Sequence, residues 1–244
     1  MTTKSTASDL RISPKLSVRK YFDEALGLGI FMFSAGFFDA LIDYPGLPIR
    51  QHISSSLLRR FLIGLSMGFT ALYIFTSRFG KQSGAYINPA VTIVWYRLGQ
   101  INKMDSFYYI LFQFLGGSLG MELVVLLFPK WMKHPEINYI ITVPGAAGVA
   151  VAFVMEFLIS LVLILVVLRM GDRKNIEKYT PVVVATLITL YITFEAPFSG
   201  MSMNPARTFA SAVVANQWKS FWLYCTAPLL GMWVGSSLYL RSKK

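Results

Sequence analysis

SGMSMNPARTF, residues 199–209, places Arg207 three residues after Asn204 in a stretch that is otherwise almost wholly apolar. TPVVVATLITLYITF runs up to it and ASAVV follows. SGAYINPAVT, residues 83–92, spells nearly the same pattern 116 residues earlier, with Val91 in the place of Arg207. Asparagine is a preferred N-cap, and proline suits the next position, where its missing N–H is not needed. Residues 88–96 and 204–216 are therefore expected to be short helices starting at Asn88 and Asn204. About ten residues at 1.5 Å each reach roughly 15 Å, half of a hydrocarbon core of about 30 Å.

Other landmarks repeat with the triplets. Ser83-Gly84 and Ser199-Gly200 share the offset of 116, and Gly116-x-x-x-Gly120 and Gly231-x-x-x-Gly235 are offset by 115. Glu24, near the start of the first apolar run, and Glu156, in the fourth, are offset by 132, so the first connection is longer than its counterpart. The chain divides into a tail (1–19), a first repeat (20–127), a connecting loop (128–147), a second repeat (148–240) and a terminal tail (241–244). Each repeat reads span, span, Asn-Pro-Ala segment, span. Three spans are an odd number, so the second copy must enter the membrane in the opposite sense. The expected fold is an all-α membrane protein of six transmembrane helices and two re-entrant half-helices in an inverted repeat.

Composition agrees. Residues are 55% hydrophobic and only 14% charged, against about 25% charged in soluble domains. Six apolar runs cover 25–42, 61–77, 106–129, 146–168, 181–194 and 220–240. They are broken only by Asp39, Glu122 and Glu156. The net charge of +11 would suggest nucleic acid in a soluble protein, but its distribution points to a membrane topology. Sixteen cations fall on the side that holds both termini and seven on the other. The positive-inside rule then puts both termini in the cytoplasm, and the membrane is read as the plasma (cell inner) membrane. The first 20 residues are polar, so the first span is expected to act as its own insertion signal.

Two half-helices entering from opposite faces bring their positive ends together near the midplane. The backbone before each, SGAYI and SGMSM, is expected to be extended and must be buried in protein or line a watery cavity. Each asparagine can cap with its side-chain oxygen and leave its NH2 free for the cavity. Water can accept from both asparagines, whereas a desolvated cation meets only positive ends. Two central donors also orient the middle water outward and break a proton wire. An ion-coupled transporter would want a titratable group at the pore centre, where these triplets put amides. A structural junction protein would want longer outer loops.

These features resemble the major intrinsic protein family, the aquaporins and aquaglyceroporins. The resemblance rests on SGAYINPAVT, SGMSMNPAR, the glutamates of EALGLG and EFLIS, and Gln113, and it runs from about residue 20 to 240. It implies one pore per subunit, homotetramers, and an outer aromatic/arginine constriction. The pore centre would be Asn88, Pro89, Ala90, Asn204, Pro205 and Ala206. The filter would hold Arg207, Met201, Ile192 and, on the second helix, Gly68 or Met67. Tyr86 replaces a usual histidine in the cytoplasmic vestibule. Ile192 stands where strict water channels carry histidine, and Thr208 where glycerol facilitators carry aspartate. Ala212 and Tyr224 fit the water type, while Cys225 replaces an expected tryptophan. The implied function is a passive channel for water, with some passage of small neutral solutes and exclusion of protons and ions. The alternative is a channel mainly for glycerol, urea or ammonia.

Glu24 and Glu156 are expected to be buried acids that accept hydrogen bonds from their own half's re-entrant backbone. Glu195 either does likewise or lines the vestibule, and Glu122 has no assigned role. His52 and His134 are expected at the surface. With two histidines and one cysteine the chain spells no HExxH, CxxC or Ser-His-Asp set. Neither an enzyme, a cofactor nor a metal site is expected. The expected partners are water, small neutral solutes and the lipid bilayer, with no nucleic acid.

Overall fold

Caps and prolines set the helix boundaries. The structure, a computed structural model, describes residues 17–243; the tail cations Lys4, Arg11 and Lys15 and the terminal Lys244 lie outside the described residues. α1 spans Val18–Asp43, α2 Pro48–His52, α3 Ser56–Thr76, α4 Arg78–Ser83, α5 Pro89–Arg97 and α6 Lys103–Leu127. After α7 (Pro129–Met132) come α8 Gly148–Gly171, α9 Thr180–Phe194, α10 Ala196–Ser199, α11 Pro205–Ala215 and α12 Phe221–Arg241. No strand occurs among the described residues. Side-chain oxygens of Ser55, Ser77, Asn88, Asn102 and Asn204 accept first-turn N–H groups and so fix where α3, α4, α5, α6 and α11 begin.

Four helices, α1, α3, α6 and α8, are long and apolar enough to cross a membrane. The other two long helices complete the bundle. α12 has 21 residues, among them Trp, Tyr, Gly and Ser, which lower its hydropathy. α9 has 15 residues, about 22 Å at 1.5 Å each, and α10 continues its course beyond Glu195. In the first half α1 packs on α6, in the second α8 packs on α12, and α3 packs on α9 where the halves meet. The half-helices α5 and α11 both lie against α6 and α12.

The two Gly-x-x-x-Gly pairs make the helix contacts of their own halves. A Cβ on Gly116 would lie 2.0 Å from the Ala25 carbonyl oxygen, and one on Gly120 2.1 Å from that of Gly29. Gly231 stands in the same relation to Phe157 O, at 2.2 Å. Close backbone approach of this kind needs small residues. Between the halves Gly68 serves similarly: a Cβ there would meet Thr189 Oγ1 at 2.4 Å and Ala185 O at 2.9 Å.

The outer connection after α1 is held by the buried Arg59, which donates to Asp43, to Ile53 O at 2.7 Å and to Ser54 O at 2.8 Å. At the other end of the bundle, Lys243 Nζ and Tyr239 OH both donate to Asp172 Oδ1, at 2.7 and 2.6 Å. Lys243 first, and Tyr239 next, hold the exposed Asp172 carboxyl below the usual carboxylate range. A depressed carboxyl stabilises its contact above the unfolded value, near pH 3.9, and loses it as pH falls through the folded value.

Gly116→Ala is expected to cost about 1–3 kcal/mol or more through forced separation of α1 and α6, read as a lower unfolding midpoint in detergent. Asp172→Asn is expected to speed amide exchange at the end of α12 at neutral pH. The unsubstituted chain should show that change only below about pH 3.9.

Candidate functional site

Each Asn-Pro-Ala helix is entered through a Ser-Gly turn. Gly84 and Gly200 end α4 and α10 with φ of 93° and 83°, a conformation glycine adopts at no steric cost. The chain then departs from the expected extended form. Ala85 (φ 47°) and Ile87 (φ 40°) in one half, and Met201 (49°) and Met203 (52°) in the other, are left-handed. Such residues cost about 1–3 kcal/mol each and persist only where the surroundings over-determine them. Here the surroundings are two buried carboxylates. Glu24 accepts from Tyr86 N at 3.0 Å and Ile87 N at 2.6 Å. Glu156 accepts from Ser202 N at 2.6 Å and Met203 N at 2.7 Å. Ser83 Oγ and Ser199 Oγ take the N–H of Ala85 and Met201. Tyr109 and Tyr224, 115 residues apart, donate to the Ser83 and Ser199 carbonyls at 2.7 and 2.6 Å.

The remaining partners of the two glutamates differ. Glu24 also accepts from Gln113 Nε2 at 2.7 Å, and Gln113 accounts for Thr92 as well. Glu156 instead shares Ser199 Oγ, at 2.8 Å, with Glu195. A hydroxyl donates one proton, so one of these two carboxyls must bring its own. Glu156 meets two backbone N–H groups and suits the ionised form. The buried Glu195, whose Oε2 has no partner among the described residues, is the one placed to hold the proton.

At the centre, Asn88 Oδ1 accepts from Ala90 N, and Asn204 Oδ1 accepts from Ala206 N and Arg207 N. The amides are not both left wholly to the cavity, as the sequence suggested. Asn88 Nδ2 donates to Met203 O and Asn204 Nδ2 to Ile87 O, each at 2.7 Å. The left-handed residues turn those carbonyls to face the opposite asparagine. One N–H on each amide remains beyond this cross-tie, and both asparagines line a cavity of ≈ 470 Å³.

The cavity lies between α1 and α3 on one side and α8 and α9 on the other. It follows α9 from Thr180 to Ile192, twelve residues or about 18 Å. One end is bounded by Asp39, Ile140 and Arg207, the other by Phe75, Trp95 and Glu177. Arg207 Nη1 donates to Ile140 O at 2.9 Å. Met201 and Ile192 lie toward its end of the wall, Met67 lines the wall from the middle of α3, and Tyr86 lines the other part, edge-on to Trp95. Gly68 is corrected: it sits in the α3–α9 contact and not on the wall. Ile63 lines the cavity one turn before Met67, and Gly64 faces Ile192, with 3.3 Å from an added Cβ to Ile192 Cβ. The short α4 lengthens the path to Asn88, so counting back from the triplet lands too far along α3. Pro89, Ala90, Pro205 and Ala206 are buried in the first turns of α5 and α11.

Residues set aside by sequence find other places. Thr208 is buried in a hydroxyl chain with Thr142 and Ser202, at 2.7 and 2.6 Å. His134 packs edge-on to Tyr44, and exposed His52 contacts Pro48 O. Glu122 is exposed on α6 beside Leu119 and Leu123, and nothing in the structure explains it. Asp39 and Ile63 were not singled out for the site. The signal for Asp39 was the Phe31, Ala35, Asp39 spacing, one face of α1.

A sequence profile of the family described as Major intrinsic protein matches residues 12–239. The chain belongs to the major intrinsic protein family. It is therefore a membrane protein, in a family of channels rather than enzymes. Aquaporin NIP6-1 from Arabidopsis thaliana is 33% identical over 176 residues, 71% of this chain and 55% of that protein. Aquaporin-4 from Bos taurus is 30% identical over 180 residues, 73% of this chain and 55% of that protein. The matched region thus spans little more than half the length of these curated relatives. A solved structure, the aquaglyceroporin from Plasmodium falciparum, superposes with a TM-score of 0.78 at 22% identity, covering 91% of this chain and 95% of that one. That likeness is one of fold.

Glu24→Gln and Glu156→Gln are each expected to cost about 1–3 kcal/mol, because an amide NH2 would face a buried backbone N–H. Glu195→Gln, which loses no backbone partner, is expected to cost less. Unfolding midpoints of the three variants in one detergent give the order.

Proposed function

We propose that the chain is a passive channel for water and small uncharged solutes that excludes protons and ions. The observation that carries this reading is the crossed pair Asn88–Met203 and Asn204–Ile87 in the middle of the cavity wall. The pair keeps two donors and two positive helix ends at one level. A water molecule there accepts from both sides and cannot relay a proton through. Asn88, Pro89, Ala90, Asn204, Pro205 and Ala206 form the pore centre. Arg207, Met201, Ile192 and Met67 form the outer filter, joined by Ile63, and Tyr86 stands on the inner vestibule. Glu24 and Glu156 are structural.

A second reading, a channel mainly for glycerol, urea or ammonia, draws on one observation. Apart from Arg207, the filter side chains are apolar, with Ile63, Met67, Ile192 and Met201 around it. A wall of that kind costs water its hydrogen bonds while accepting a carbon skeleton. The two repeats, 20–127 and 148–240, would lie in the plasma membrane with both termini in the cytoplasm. The subunits would assemble as homotetramers, one pore in each.

Stopped-flow light scattering on proteoliposomes separates the readings. Water permeability well above that of empty vesicles is expected, with slower glycerol and urea entry. Water flow equal to that of empty vesicles would sink the channel reading, and solute flow without water flow would favour the second. Arg207→Val is expected to keep water flow and raise proton leak, followed with an internal pH dye.

A further inference from the structure

Asp39 stands apart from every role assigned above. It lies on α1 in the stripe Phe31, Ala35, Asp39 that faces the cavity, at the end bounded by Arg207. Among the described residues it has no dedicated hydrogen-bond or ion-pair partner. Arg50 and Arg59 engage Asp43, one turn further on, and among the described residues neither pairs with Asp39. Asp39 and Arg207 line the same cavity. Glu156 is consumed by backbone N–H groups and Ser199. Asp39 is half-buried and borders open cavity. Buried or half-buried carboxylates find donors, and the donors available to this one are the contents of the cavity. Arg207 spends Nη1 on Ile140 O and has further N–H groups to give. The cavity lining thus carries a carboxylate that accepts and a guanidinium that only donates, among mostly apolar side chains.

On the channel reading proposed above, we infer that Asp39 is a second polar determinant of the outer mouth. It receives the N–H groups of a small uncharged primary amide while Arg207 donates to that amide's carbonyl oxygen. The chemistry selects this class because an amide keeps its donors at one end and its acceptor at the other. That matches two groups each able to bond in one sense only. Water and polyol hydroxyls donate and accept at the same atom, so they pass the pair with no comparable preference.

The test is the ratio of formamide and acetamide permeability to water permeability in proteoliposomes, with glycerol as the polyol arm. Asp39→Leu, an apolar change of similar size on a membrane helix, is expected to lower both amide-to-water ratios about three- to tenfold, the scale of one lost hydrogen bond. The glycerol-to-water ratio should stay nearly unchanged. Asp39→Glu, which retains the carboxylate, should restore most of the amide ratio. If Asp39→Leu yields no folded protein, Asp39→Asn is read on the same ratios. A parallel fall in all permeabilities, or amide ratios equal to those of the unsubstituted channel, overturns the role of Asp39 while leaving the channel reading intact. Absence of water flow in the unsubstituted protein overturns the channel reading and this inference together.

Discussion

Backbone N–H groups that point into protein at membrane depth have no water to bond, and here four of them, on Tyr86, Ile87, Ser202 and Met203, rest on two carboxylates. The remainder of the site follows from that constraint. The helices that carry them, α1 and α8, are drawn close to α6 and α12 at Gly116, Gly120 and Gly231. Once the N–H groups are bound, left-handed conformations at Ala85, Ile87, Met201 and Met203 become affordable. Those conformations turn the Ile87 and Met203 carbonyls toward the opposite asparagines. The asparagines then fix both half-helices at one level of the cavity. A glycine in a helix contact and a hydrogen bond at the pore centre are therefore links of one chain of cause.

The symmetry is closest where the backbone is most unusual and weakest around it. Both halves use a Ser-Gly turn, a tyrosine on the serine carbonyl and a glutamate on two N–H groups. Beyond these, the first half completes its glutamate with an amide, Gln113, and the second with a hydroxyl shared by another acid, Glu195. The second arrangement brings a proton into the interior and sits on the half that carries Arg207. The two halves therefore differ electrostatically even where their backbones agree.

Much of this was readable from residue order. The triplets, their offset and the isolated glutamates in apolar runs specify helix starts, inversion and buried acceptors, because each depends on local chemistry or on counting. What escaped depends on space. Ala85, Ile87, Met201 and Met203 are not residue types that announce a positive φ; the hydrogen bonds that backbone N–H groups donate to Glu24 and Glu156 impose it across more than forty residues of chain. The cross-tie of the asparagines was invisible because each N-cap alone leaves its amide free. The filter position on α3 slipped because α4, six residues long, is too short to have a periodic signature. Asp39 read as an interruption, since its importance comes from sharing a cavity with a residue 168 positions away.

The crossed asparagine bonds also bear on how the protein is made. Asn88 donates to the carbonyl of Met203, 115 residues later in the chain. At about 5–20 residues per second, a ribosome needs roughly 6–23 s to supply that acceptor. For all that time the first half-helix has its cap and its glutamate but lacks its partner across the midplane. The glutamate network of each half is thus more than support for the finished pore. It gives the re-entrant N–H groups of a newly inserted first half their acceptors within that half, while the Ile87 carbonyl waits for Asn204 to arrive and close the centre.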